Sequence, residues 1–206
     1  SGFGYSGARA HGMMGTGLYA APGEVVNITV PPSLIDQNVR IQIGAHSDSL
    51  WNKDKLDRHP KIHRIWIIDS EIMQVGNTFG GLIYLTFPPD STFGMLNVEI
   101  ENAVQAPRFI AGVTTGQEWN NTQRNLPAPW AELEGDFFIL TVPSSEIRNL
   151  NNSIDYIEIG YRNLKQSVYK GEFFYSPLET LKKVKSLTSK LIVLIIDEKN
   201  LSDNDI

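Results

Sequence analysis

TGLYAAPGEVVNITVPP, residues Thr16–Pro32, sets the fold class of this chain. In Ala21-Pro22-Gly23-Glu24 the proline presets φ near −65° and the glycine can take φ > 0, which specifies a type II turn. Beyond the turn, Val26, Ile28 and Val30 point one way and Val25, Asn27 and Thr29 the other, because side chains alternate along a strand. Pro31-Pro32 stops the strand, since neither residue can donate to a ladder. A turn, a half-buried strand and a stop mean β-sheet.

The pattern recurs downstream. Val39, Ile41 and Ile43 alternate with Arg40 and Gln42, giving a second half-buried strand. Ile62–Ile68 is β-branched and aromatic on both faces and reads as a buried strand, with Trp66 in the core. Phe79–Phe87, opened by Gly80-Gly81, is another. Leu96, Val98 and Ile100 alternate with Asn97, Glu99 and Glu101, so that strand has one wet face. Arg108–Val113 and Phe137–Val142 complete the set. Short alternating strands separated by turn residues predict an all-β fold, an antiparallel β-sandwich over residues 16–150. One short helix interrupts it at Thr115–Arg124, where Thr115 and Glu118 stand in capping-box spacing.

Two flanking regions differ in character. Residues 1–15, rich in Gly, Ser and Ala and without a period, read as a flexible lead-in arm. After Leu150 the bases change from mostly Arg to almost all Lys. Ser176-Pro177-Leu178-Glu179 is a helix start, and Leu181, Val184, Leu187 and Leu191 follow at helical spacing among Lys182, Lys183 and Lys190. Residues 151–206 therefore read as a tail, α-helical or mixed, whose basic amphipathic helix can pass into a strand at Leu191–Ile196.

The totals exclude several classes. A chain of 206 residues with net charge −5 and no basic excess argues against a dedicated nucleic-acid binder. The absence of cysteine removes disulfides, thiolate zinc sites and a Cys nucleophile together. The longest apolar run, Leu191–Ile196, is far short of the ~20 residues a membrane helix needs. With no initiator Met and no signal-peptide core, the chain is expected to be part of something longer. Sequons begin at Asn27, Asn120, Asn151 and Asn200, but such triplets arise often by chance and carry little weight.

TGLYAAPGE with its strand and PP resembles the opening of the enhancin-like zinc metallopeptidase domain. The likeness continues through VRIQIGAHSDSL (Val39–Leu50), FGGLIYLTFP (Phe79–Pro88), VEIENAVQAPRFIAG (Val98–Gly112) and PAPWAELEGDFFILTVPSSEIRNL (Pro127–Leu150). That family includes viral enhancins, bacterial mucin-degrading peptidases and the TRP-channel-associated factors. The resemblance covers its N-terminal β-rich part and implies complete relatives that use zinc to cleave glycoproteins such as mucins. It implies equally a module that partners a membrane channel protein. The first implication places the protein outside the cell or at its surface, the second at the cytoplasmic face of the plasma membrane. A free-standing carbohydrate-binding sandwich is the third alternative.

No HExxH, the family's zinc motif, occurs anywhere in the chain, so no catalytic, cofactor or metal residue is assigned and zinc is expected only in a complete family member. His59-Pro60-Lys61-Ile62-His63 has the spacing of two helical ligands but sits in a strand-like context, where residues four apart lie ~13 Å apart. His46-Ser47-Asp48 holds three hydrolase residue types as neighbours, whereas a triad converges from distant segments. Its residues suit loop turns, or a polar rim for a sugar or peptide. Gly80-Gly81 makes a bulge or admits a second backbone; functionally, its strand could border a cleft where an extended substrate pairs. Trp51, in a polar loop, and Trp130, after Pro127-Ala128-Pro129, are the aromatic surface candidates. The possible substrate or partner surface is thus His46, Asp48, Trp51, Gly80, Gly81 and Trp130.

Overall fold

A computed structural model of the chain describes residues 11–46, 54, 55, 59, 61–89, 91–135, 138–148 and 193–196. It resolves into two units, residues 1–105 and 106–206. The first holds strands β1 (Gly12–Ala20), β2 (Val25–Thr29), β3 (Arg40–Ile43), β4 (Arg64–Ile67), β5 (Ile72–Gly76), β6 (Gly81–Phe87), β7 (Glu99–Glu101) and β8 (Val104–Gln105). They form a five-stranded sheet, β4-β3-β6-β1-β8, and a three-stranded sheet, β5-β2-β7, with every pairing antiparallel.

The predicted turn is present: Gly23 has φ +78° and Glu24 N–H donates to the Ala21 carbonyl at 3.1 Å. The strand behind it alternates as expected, with Val26 and Ile28 fully buried and Val25 half exposed. These two residues join Met73 and Val75 of β5 and meet Val39, Ile41, Ile43, Ile83 and Leu85 in one core cluster. This two-sheet burial is the sandwich.

Several strands differ from their sequence patterns. Gly12–Gly15, assigned by composition to the arm, is strand, paired from Gly12↔Phe87 to Gly15↔Tyr84. Gly17, at φ +72°, accompanies a register shift between Gly15 and Tyr19, so the bulge in this pair lies on β1. β5 was not legible at all. Gln42, expected on a wet face, is 2% exposed and donates its side-chain amide to the Gly44 carbonyl at 2.8 Å. The expectation of a buried strand at Ile62–Ile68 is wrong for β4, which ends the sheet and leaves Ile65 and Ile67 exposed. Trp66 is only partly buried against the core, with the Arg64 guanidinium 5.3 Å from its ring centroid.

The second unit contains β9 (Arg108–Ile110), α1 (Gly116–Asn121), β10 (Trp130–Gly135), β11 (Phe138–Pro143), α2 (Ser144–Ile147) and β12 (Val193–Ile196). Its sheet runs β12-β11-β10-β9, and β9 pairs parallel to β10, an exception to the antiparallel expectation. The parallel pair follows from the crossover through α1, which returns the chain in the same direction. Arg108 grips Glu134 across this pair at 2.6 Å. Val193–Ile196 pairs antiparallel to Thr141–Phe138. The boundary expected near Leu150 and the helix from Ser176 lie outside the described residues.

The predicted helix forms with its cap: the Thr115 hydroxyl accepts from Glu118 N–H at 3.1 Å. Trp119 on this helix is buried and meets Phe109 edge-on, centroids 5.5 Å apart. Thr115→Ala should therefore cost about 1 kcal/mol in chemical denaturation. A loss below about 0.3 kcal/mol would mean that the cap is not used.

Candidate functional site

Three connections meet at one end of the sandwich: the β1–β2 turn, the segment after β3, and the β5–β6 turn. Asn77, directly after β5, ties them together. It is 2% exposed, and its side-chain amide donates to the carbonyls of Ile62 at 2.7 Å and Ile43 at 3.2 Å. Its Oδ1 accepts from Phe79 N–H at 3.2 Å. Its carbonyl accepts from Gly23 N–H at 3.0 Å and Gly80 N–H at 2.9 Å. One side chain thus joins the end of the three-stranded sheet to β3 of the five-stranded one.

The glycines exist because of this convergence. Gly81 has φ +150°, and a Cβ there would lie 2.5 Å from both N and Cα of Gly44. Gly80 has φ +66°, and its Cβ would meet the Ala20 carbonyl and the Tyr19 hydroxyl, each at 2.7 Å. Gly44 N–H donates to the Leu82 carbonyl at 2.8 Å. The second backbone that Gly80-Gly81 admits is therefore the chain's own. β6 has β3 on one side and β1 on the other, so an extended substrate finds no edge there, and that expectation is corrected. Burial raises the Tyr19 phenol above its ordinary pKa.

His46 is 5% exposed and Gly80 is buried, so neither is open surface. The His46 carbonyl accepts from Ile62 N–H at 3.2 Å and from His63 Nδ1 at 3.1 Å, which assigns the proton to that nitrogen. Asp48 and Trp51 lie outside the described residues. Trp130 is half-buried at the start of β10, paired with Pro143, in the other unit. The structure thus gathers His46, Gly80 and Gly81 but buries the first two.

What this end does expose was missed in the sequence. Phe79 is 52% exposed, and the His59 ring tilts against it with centroids 5.9 Å apart. Two signals were available: Asn77 three residues before Gly80-Gly81 marks a tight, bonded turn, and an aromatic inside such a turn has no core to enter.

The described residues do not fit a zinc ion. His63 Nδ1 is bonded to a carbonyl, His59 lies against Phe79, and His11 Nε2 bonds the Asn38 carbonyl at 3.0 Å. Among the described residues no three His, Asp or Glu side chains could hold a metal together. Nor is any helix among them long and apolar enough to cross a membrane.

Comparison with known proteins gives the family. Residues 8–101 match the model of the N-terminal domain of M60-like peptidases, and residues 102–163 match that of Peptidase M60, enhancin and enhancin-like. The chain is 42% identical over 136 residues to a TRPM8 channel-associated factor homolog from Danio rerio, covering 66% of this chain and 15% of that protein. To the human TRPM8 channel-associated factor 1 it is 35% identical over 139 residues, covering 68% and 15%. It therefore spans a small part of these relatives. Among solved structures, IMPa from Pseudomonas aeruginosa with an O-glycopeptide superposes with a TM-score of 0.58 at 16% identity, over 78% of this chain and 20% of that one. The catalytic module of the metalloprotease ZmpA from Clostridium perfringens gives 0.56 at 13% identity, over 76% and 35%. At such identities the likeness is one of fold.

Proposed function

We propose, since this chain belongs to the M60-like, enhancin-like peptidase family, that it is a recognition part of such a protein and works by binding a protein partner. The observation that carries this reading is the loop end of the sandwich. A buried network centred on Asn77 holds its backbone rigid, and the exposed Phe79–His59 pair sits on top. A rigid frame under an exposed aromatic is what a binding hot spot requires, because little entropy is lost when a partner covers it. Identities of 35–42% with the TRPM8 channel-associated factors favour a channel of that type as the partner.

A second reading has its own support, the match of residues 102–163 to the peptidase model. In it the sandwich positions a glycoprotein for a catalytic part that supplies the zinc.

Two measurements separate these readings. Immobilised chain should capture detergent-solubilised TRPM8 channel, and Phe79→Ala should weaken capture about tenfold while leaving the unfolding midpoint in place. Absence of capture, or capture indifferent to Phe79, would sink the partner reading. Calorimetric titration of the chelator-stripped chain should show no stoichiometric sub-micromolar zinc site. Such a site, lost in His46→Ala or His63→Ala and accompanied by zinc-dependent digestion of a mucin-type glycoprotein, would make the chain an enzyme by itself.

A further inference from the structure

We infer that the outer edge of β4 is a strand-addition site for an extended peptide that alternates apolar and acidic residues. β4 ends the five-stranded sheet, and among the described residues no strand pairs on its outer side. Ile68 N–H donates to the Val39 carbonyl at 3.0 Å, which sets the phase of the β3–β4 ladder. Backbone groups alternate in an antiparallel pair, so Arg64, Trp66 and Ile68 bond inward, while Ile65 and Ile67 turn their N–H and carbonyl groups outward.

Those same two residues carry the exposed side chains, 44% for Ile65 and 56% for Ile67. Both lie on one face, since they are two apart on a strand. Sheet edges are ordinarily blunted by proline, by a bulge or by a charge at the outward positions. From Arg64 to Ile67 this edge has none of these: no proline, an unbroken register and isoleucine at both outward positions. β5 is also an edge, but it offers Ile72 alone, directly beside Glu71.

Charge selects the partner. Lys61 and Arg64 are exposed and Arg40 faces Ile67 across the ladder, whereas residues 61–68 contain no acid in a chain of net charge −5. An acidic strand is attracted to this edge. A second copy of the chain would instead bring two sets of Lys61 and Arg64 together, which is repulsive. Main-chain bonds to Ile65 and Ile67 would supply affinity, their side chains would take the peptide's apolar residues, and the bases would set its charge. The inference stands on this sheet edge alone and does not depend on the loop end.

The test is an NMR titration of the isotopically labelled full chain with a capped heptapeptide alternating glutamate and valine, and with its lysine–valine counterpart. Saturable shifts of the Ile65 and Ile67 amides are expected with the first, and binding at least about tenfold weaker with the second. Ile67→Pro removes an outward N–H without touching the ladder to β3, and should weaken binding at least about tenfold. If that variant fails to fold, Ile65→Glu with Ile67→Glu keeps the backbone and repels the acidic peptide, with the same loss expected. No saturable shift at Ile65 and Ile67, equal binding of both peptides, or binding unchanged in a folded variant would each overturn the inference.

Discussion

Gly81→Val is expected to destabilise the sandwich by about 3–5 kcal/mol. The sequence supports a smaller figure, about 1–3 kcal/mol, from the strain of a β-branched residue at positive φ. The structure adds a collision. At φ +150° a new Cβ would lie 2.5 Å from Gly44 N and Cα, and both of those are backbone atoms held by the Gly44–Leu82 hydrogen bond. A flexible side chain could step aside, but a paired strand end cannot move without giving up part of the β3–β6 ladder. Gly23→Ala is the matched control. Its φ is +78°, yet its Cβ meets nothing within 4 Å, so only the conformational cost remains, about 1 kcal/mol. Urea denaturation of both variants checks the difference. Equal losses would mean that the approach of Gly44 is relieved elsewhere and that strain alone explains Gly81.

Asn77→Ala should cost about 3–4 kcal/mol, although it removes only one small polar side chain. Two contributions add. Three side-chain hydrogen bonds are lost, each worth about 1 kcal/mol net. The carbonyl of buried Ile43 also loses a donor where little water can reach it, and that of part-buried Ile62 loses one as well. Asn77→Asp is the sharper probe: a carboxylate has the same shape, can still accept from Phe79 N–H, and cannot donate to either carbonyl at neutral pH. It should be at least as damaging as alanine at pH 7 and recover part of the loss in acid, where a protonated carboxyl can donate once. A loss under about 1 kcal/mol for both variants would show that the loops hold without the amide.

The recognition surface proposed here depends on this frame. Phe79 follows Asn77 by two residues, and its N–H is one of the bonds in question. Asn77→Ala should therefore weaken partner capture in a protein that is still folded, whereas Phe79→Ala should weaken capture and spare stability. That pattern separates a framework residue from a contact residue.

What the sequence by itself determined was local. The type II turn at Pro22-Gly23, the alternation through Val26, Ile28 and Val30, and the Thr115 cap each depend on residues within a few positions of one another, where φ preference and side-chain period act directly. The family likeness was legible for the same reason, in short ordered segments. Partnership between distant strands was decided only by the tertiary structure. Ile62–Ile68 reads as buried because periodicity reports how apolar a strand is, and not whether a neighbour lies on each side; assembly placed β4 at the edge and left Ile65 and Ile67 in water. Gly80-Gly81 declared that something comes close, but only pairing across the sheet identified it as Gly44. Asn77 looked like any turn asparagine until folding brought Ile43 and Ile62, distant in the chain, within reach of its amide. A side chain carries its hydrogen-bonding capacity in the sequence, but which carbonyls will need it is settled by how the sheets close.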